Sequence, residues 1–301
     1  MRTTRLSVLA LTLLAALFFT SFSGSKAAAQ SQERLQVLFL GDTGHHQPAK
    51  RMLQIYPYMA ARGIHLVYTD DVSELNRENL AHYHALIFFG NSPVISKSQE
   101  TALLDFVASG KGLVTLHAGI AMFGNSDAYT NLVGGMFKSH GEGTFTVNHI
   151  RPNHPAIAGV DPFTSWDETY IHMRHNPDKV VLAVHEEDGR REPWTWVREH
   201  GEGRVFYTAW GHDERTWSQA GFHQLVERGL RWAAGDWALE ADWSPDALTY
   251  AQDGEMPNYP AGLGWGVTEE PFTDIQHPLS PEASVNQTFI EPGFSMNLFA
   301  A

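Results

Sequence analysis

The sequence predicts a doubly wound α/β domain built on a mostly parallel sheet, similar to flavodoxin-like and class I glutamine amidotransferase-like folds, followed by a Pro-rich C-terminal tail. Short apolar runs recur at strand length, and segments of helical period fill the intervals between them. Polar residues gather just after the apolar runs, where an open α/β sheet collects its ligands.

Leu35 to Leu40 (LQVLFL) is a continuous apolar run, the pattern of a strand buried on both faces, and it ends in Gly41-Asp42-Thr43-Gly44. Pro48 to Arg62 follows with helical spacing, placing Met52, Ile55, Tyr56 and Met59 on one side. Further strands are expected at Ile64 to Tyr68, Ala85 to Phe89 and Gly112 to His117. An amphipathic helix over Ser98 to Ser109 precedes the last of these, with Ser98 as N-cap and Gly110 as the stop. Thr144 to Asn148, Val180 to Glu186, Trp194 to Arg198 and Arg204 to Ala209 read as strands, the last two joined by a tight turn at Glu202-Gly203. Ala220 to Ala234 closes the domain as a helix ending at Gly235. Beyond it, Pro245, Pro257, Pro260, Pro271, Pro278, Pro281 and Pro292 punctuate a stretch of little periodicity. The expected organisation is a domain over 30–236 and a linker or tail over 237–301.

Composition narrows the function. The chain has 301 residues, 43% of them hydrophobic, which suffices for a packed core. It carries 34 acidic against 21 basic side chains and no run of Lys or Arg, which excludes nucleic acid as a partner, DNA included. Cysteine is absent, so thiol catalysis, disulfides, iron–sulfur clusters and Cys-bound zinc are excluded together. Met1 to Ala29 has the form of a secretory signal: Arg2 and Arg5, an apolar stretch from Leu6 to Phe22, then Ala27-Ala28-Ala29 before Gln30. A secreted or periplasmic protein is therefore expected. No second apolar stretch is long enough for a permanent membrane span.

Sixteen histidines is a high count, and several fall at loop ends. His117 follows Leu113-Val114-Thr115-Leu116 in a strand-to-helix turn, His140 is placed in a Gly-rich loop, and His212 follows the last strand within WGHDE. Asp167-Glu168, placed in a loop, offers a base or a metal ligand. His45 and His46 are weaker candidates, because neighbouring histidines point in different directions. Trp194, Trp196, Trp210 and Trp217 admit two readings, stacking on a sugar face or packing in the core, and the core suits most of them. Imidazoles and carboxylates without thiols suit a divalent metal such as zinc, and imidazole is also the ordinary acid–base group near neutral pH. No G-x-S-x-G, P-loop, G-x-G-x-x-G or H-E-x-x-H motif occurs.

Taken together, VLFLGDTGHH (37–46), GKGLVTLHAG (110–119), SHGEG (139–143), NHPAIAGV (153–160), DETY (167–170), REPWTWVREHGEGRVFYTAWGHDE (191–214) and ERGLRWAAGD (227–236) resemble the ThuA-like family, named for trehalose utilisation. That resemblance implies a fold similar to class I glutamine amidotransferases. The amidotransferase nucleophilic Cys would stand where this chain has His117, and the His-Pro-Glu segment where it has His212-Asp213-Glu214, so Cys-dependent glutamine hydrolysis is not available. The family pattern points to His117, His140, Glu168 and His212 as the catalytic set. We add Asp42, His45, His46, Tyr170, Trp210 and Asp213 as substrate-binding candidates, and His117 with His212 as metal ligands.

The implied role is an exported protein acting on a sugar or keto-sugar by metal-assisted or His/Glu acid–base chemistry. The alternative is a non-catalytic sugar-binding or docking module serving a sugar dehydrogenase. That alternative draws on the tail, where HPLSPEASVNQTFIEPGFSMNLFAA (277–301) resembles the opening of a β-propeller dehydrogenase module.

Overall fold

The computed structural model describes residues 34–240, the short segments 250–252 and 274–276, and scattered positions between 280 and 299. The expected signal segment lies outside the described residues, as does most of the tail. Among the described residues, no helix is long and apolar enough to cross a membrane.

The elements run β1 (Leu35–Leu40), α1 (Pro48–Ala60), β2 (Ile64–Thr69), α2 (Arg77–Leu80), β3 (Ala85–Phe88), α3 (Lys97–Ala108), β4 (Gly112–Leu116), α4 (Asp127–Val133), β5 (Met136–Thr146), β6 (Asn148–His149), β7 (Thr164–Met173), β8 (Val180–Glu187), β9 (Arg190–His200), β10 (Gly203–Thr208), α5 (Glu214–Trp217), α6 (Ala220–Ala234) and α7 (Asp236–Glu240). Eight strands form one sheet in the order β2-β1-β3-β4-β10-β9-β8-β6. The five from β2 to β10 are mutually parallel, and β9, β8 and β6 add an antiparallel edge. The sheet is thus mostly parallel with flanking helices, as the apolar runs predict.

Those runs are apolar because the parallel strands are covered on both sides. Every residue of β3 and β4 is buried, and β1 leaves only Gln36 partly exposed. Burying each Leu, Val or Phe of this kind is worth about 1.5–3 kcal/mol. Helix α6 packs on β4 and β10 at close range: a Cβ at Gly229 would stand 2.7 Å from the Phe206 ring.

Four local expectations need correction. The helix before β4 begins earlier than expected. Its N-cap is Ser96, which accepts from the Gln99 N–H while the Gln99 side chain accepts from Ser96, closing a capping box that Ser98 could not form. The β9–β10 turn is Gly201-Glu202, where Gly201 takes φ +59°, leaving Gly203 already paired with His200. SHGEG is not a loop, and neither is Asp167-Glu168. Both lie in a two-stranded antiparallel ribbon of β5 and β7, separate from the main sheet, in which Glu142 faces Glu168 and His140 faces Tyr170. Finally, Trp210, expected to meet substrate, is fully buried, as are Trp194, Trp196 and Trp217, in keeping with the core reading of these tryptophans. Trp210 stacks on Phe145 of the ribbon at 4.6 Å and meets Trp194 edge-on, so it fastens the ribbon to the body of the domain.

Candidate metal centre

The site forms where four chain segments meet at the carboxyl ends of the parallel strands. His46 comes from the loop between β1 and α1, His117 from the turn after β4, Glu168 from β7 and His212 from the loop after β10. One ligand atom from each lies within 4.8 Å of all the others. The three imidazoles form a nearly equilateral triangle, with ring centroids 5.3, 5.3 and 5.5 Å apart.

Local structure explains each placement. His117 adopts a left-handed backbone at φ +43°, which β4 and the short helical turn over His117–Ala121 impose at the strand end. Gly119 lets that turn sit on the end of β3, because a Cβ there would run into the Phe88 carbonyl. Asp42 locks the neighbouring loops together, accepting from the Gly44 N–H at 2.7 Å and from the Asn91 N–H. Asn91 in turn meets His46 Nδ1 at 3.0 Å. Asp213 caps α5 and binds Arg215. Asp42 and Asp213, expected to meet substrate, are thus engaged in holding loops. His45 is exposed while His46 is buried, yet the two rings do not point apart as expected of neighbouring histidines: their centroids lie 4.0 Å from each other, with His46 on the inner side at the centre.

The ring nitrogens are arranged as a ligand set requires. His117 Nδ1 donates to the Ala209 carbonyl at 2.7 Å, which fixes the tautomer and leaves the Nε2 lone pair facing Glu168 Oε2 at 3.2 Å. His212 Nδ1 faces Glu168 Oε1 at 3.2 Å. His46 Nε2, His117 Nε2 and His212 Nδ1 are all buried without a hydrogen-bond partner. As placed, the Asn91 amide nitrogen donates to His46 Nδ1; a flip of that amide lets Nδ1–H donate instead and frees the Nε2 lone pair. His140 stands outside the triangle and exposed, with Nδ1 3.0 Å from the Gly141 carbonyl and 3.5 Å from Glu168 Oε1. Tyr170 is buried and lies nearly flat on His117 at 4.2 Å.

Asp167 completes the centre from beneath. It is fully buried and accepts from the Gly211 N–H at 2.9 Å, the His212 N–H at 3.2 Å and the Thr216 hydroxyl at 2.7 Å, tying the His212 loop to the ribbon. Burial pushes its pKa up, opposed by His117 and by these hydrogen bonds. Burial also acts to raise Glu168, but the His117 and His212 imidazoles facing it outweigh that effect and hold the carboxyl well below the usual range. His212 is raised by the Glu168 carboxylate that faces it. Burial, with His117 beside it, takes His46 down to about 2, so His46 is neutral and free to ligate.

The sequence-based candidates His117, Glu168, His212, His46, His140 and Tyr170 therefore come together, while Trp210 stands in the core. Two neighbours escape a reading of the sequence alone. One is Asn91, whose only signal is its place just after β3. The other is Trp166, visible only once Trp166, Glu168 and Tyr170 are known to alternate along a strand.

Comparison with known proteins agrees with this architecture. No curated protein matches the sequence significantly. Among solved structures, a thua-like protein from Bacteroides uniformis superposes with a TM-score of 0.59 at 18% identity, over 72% of this chain and 100% of that one. A thua-like protein from Parabacteroides merdae does so with 0.57 at 18% identity, over 67% of this chain and 90% of that one. At such identities the likeness is one of fold. The profile of the ThuA family, described as trehalose utilisation, matches residues 36–233, from β1 into α6 and across all four segments of the centre; the chain belongs to the ThuA family.

Proposed function

We propose that this chain is an exported carbohydrate-active enzyme that uses a divalent metal at His46, His117, Glu168 and His212 to act on a sugar or keto-sugar. Family membership supports the carbohydrate-related role. The metal reading is carried by one observation. Three imidazole nitrogens without partners and a carboxylate converge on one point, and among the described residues no lysine or arginine pairs with Glu168 or with Asp167 beneath it. Two carboxylates enclosed without a lysine or arginine partner concentrate negative charge in a buried volume, which is unfavourable. A divalent cation balances it, and a donor set of imidazole nitrogens with one carboxylate suits zinc.

Such an ion would polarise a sugar carbonyl or hydroxyl. The chain's own residues do the rest. His117 is held in one tautomer by Ala209, Tyr170 covers its ring, and the exposed His140 is placed to take up or return a proton at the mouth. The Met1–Ala29 pattern supports export.

The test is elemental mass spectrometry on the mature protein beside a His117→Ala, His212→Ala double variant. Near-stoichiometric divalent metal, lost in the double variant, is the expected result. A folded wild type that holds no metal and ignores added zinc overturns the proposal. N-terminal sequencing of protein recovered outside the cytoplasm is expected to begin near Gln30; a retained Met1 overturns the export reading.

A further inference from the structure

We infer that Trp166 is the stacking platform of this centre, against which a pyranose ring lies with its oxygens directed at the His46–His117–Glu168–His212 cluster; the inference rests on the sugar reading above. Four of the nine tryptophans, Trp194, Trp196, Trp210 and Trp217, are sealed in the core. Trp166 is different. It precedes Glu168 by two positions on β7, so strand alternation puts it on the ribbon face that carries Glu168 and Tyr170, opposite Thr144. Its indole is partly exposed, and its ring centroid is 5.7 Å from that of His212, close enough that the two rings touch, so the indole borders the cluster directly.

The ring is also held in place. The Arg215 guanidinium lies 3.4 Å over one face of the indole, and Asp213 fixes that guanidinium through its Nε and Nη2. A rigid aromatic ring at the edge of a polar centre gives a large contact for the C–H face of a sugar at little entropic cost, while the hydroxyl edges stay free to meet polar groups. The competing reading is that Trp166 serves only as a strut beneath Arg215. The two differ in what happens when the aromatic face is replaced by a smaller aliphatic side chain (Leu) or a smaller aromatic one (Phe).

The experiment is calorimetric titration of the zinc-loaded mature protein with trehalose, for wild type, Trp166→Leu and Trp166→Phe, with zinc content and melting temperature recorded for each. Wild type is expected to bind, Trp166→Leu to bind about fivefold to tenfold more weakly, and Trp166→Phe to fall between them, with zinc content unchanged. If Trp166→Leu binds trehalose as well as wild type does, the platform is overturned and the sugar reading stands. If both variants lose zinc, Trp166 is a strut and the platform is again overturned. If zinc-loaded wild type does not bind trehalose, the sugar reading falls and takes the platform with it.

Discussion

His117 and Asp167 are both fully buried, and the carboxylate stands 3.8 Å from the ring nitrogen that donates to Ala209. The same carboxylate receives the backbone N–H groups that carry His212. The Glu168 N–H also donates to it at 2.8 Å, so Asp167 meets three of the four converging residues without being one of them and ties together the turn after β4, the loop after β10 and the ribbon.

Asp167→Asn is expected to weaken zinc binding by about 10-fold to 100-fold, although every ligand atom remains. The amide keeps the side-chain volume but turns an N–H towards donors that now face a carboxylate, and each buried donor left unmatched costs about 1–3 kcal/mol. Zinc affinity measured by competition with a chelator checks the first effect, and urea denaturation of the zinc-free protein checks the second. Unchanged zinc affinity would show that Asp167 is a passive part of the packing.

The backbone at His117 makes a second prediction of unusual sign. Glycine is normally less stabilising than alanine, because it loses more chain entropy on folding. At φ +43° the order reverses, since a Cβ in the left-handed region costs about 1–2 kcal/mol. Metal-free His117→Gly is therefore expected to be about 1 kcal/mol more stable than His117→Ala. Urea midpoints at equal m-values decide it, and alanine coming out more stable would mean the turn relaxes once the imidazole is gone.

The parallel half of the fold is legible because its strands are buried on both faces, and an uninterrupted run such as LQVLFL suits little else of that length. The β5–β7 ribbon is not, and the reason is physical. Much of β5 is solvated, so Lys138, Ser139, His140, Gly141 and Glu142 show no apolar alternation, and its two glycines imitate a loop. With the ribbon read as loop, the face shared by Trp166, Glu168 and Tyr170 stays hidden. The histidines at strand ends can be picked out singly, since fold class says where ligands gather. His46 is harder to weigh, because a histidine doublet does not show which of the two rings is buried, and here the exposed His45 lies against the buried His46.

The tryptophans separate core from mouth in a way stability measurements can read. Trp210 packs on Phe145, Phe163 and Trp194, so Trp210→Ala is expected to destabilise by about 3–5 kcal/mol and to loosen the ribbon. Trp166→Leu, at a partly exposed position, is expected to change stability by about 1 kcal/mol or less. Urea unfolding of the two variants side by side tests this contrast. Equal losses would place Trp166 in the packing that Trp210 serves.

Acid is expected to destabilise the metal-free protein, and His172 illustrates why. Burial lowers its pKa, opposed by Glu192, which accepts from Nδ1 at 2.8 Å and from the His172 N–H, while Nε2 meets the Tyr207 hydroxyl at 2.9 Å. Below about pH 6.5 an unfolded chain protonates this histidine while the folded chain resists, so the unfolded state binds more protons and stability falls with pH. The contribution is whole above about pH 6.5, and each such group then adds a slope of about 1.4 kcal/mol per pH unit. His46, His185 and His223 are lowered by burial as well and act in the same direction. His212 opposes them: its pKa is raised by Glu168, so its contribution is present below about pH 6.5 and is lost as pH rises through the folded value. Because the lowered histidines outnumber it, the melting temperature in chelator is expected to drop between pH 7.5 and 5.5. His172→Gln is expected to flatten that drop while lowering stability at pH 7.5, since the glutamine cannot titrate but disturbs the bonds to Glu192 and Tyr207. Calorimetric scans at matched ionic strength measure both; a drop of the same steepness in the variant would remove His172 from the account.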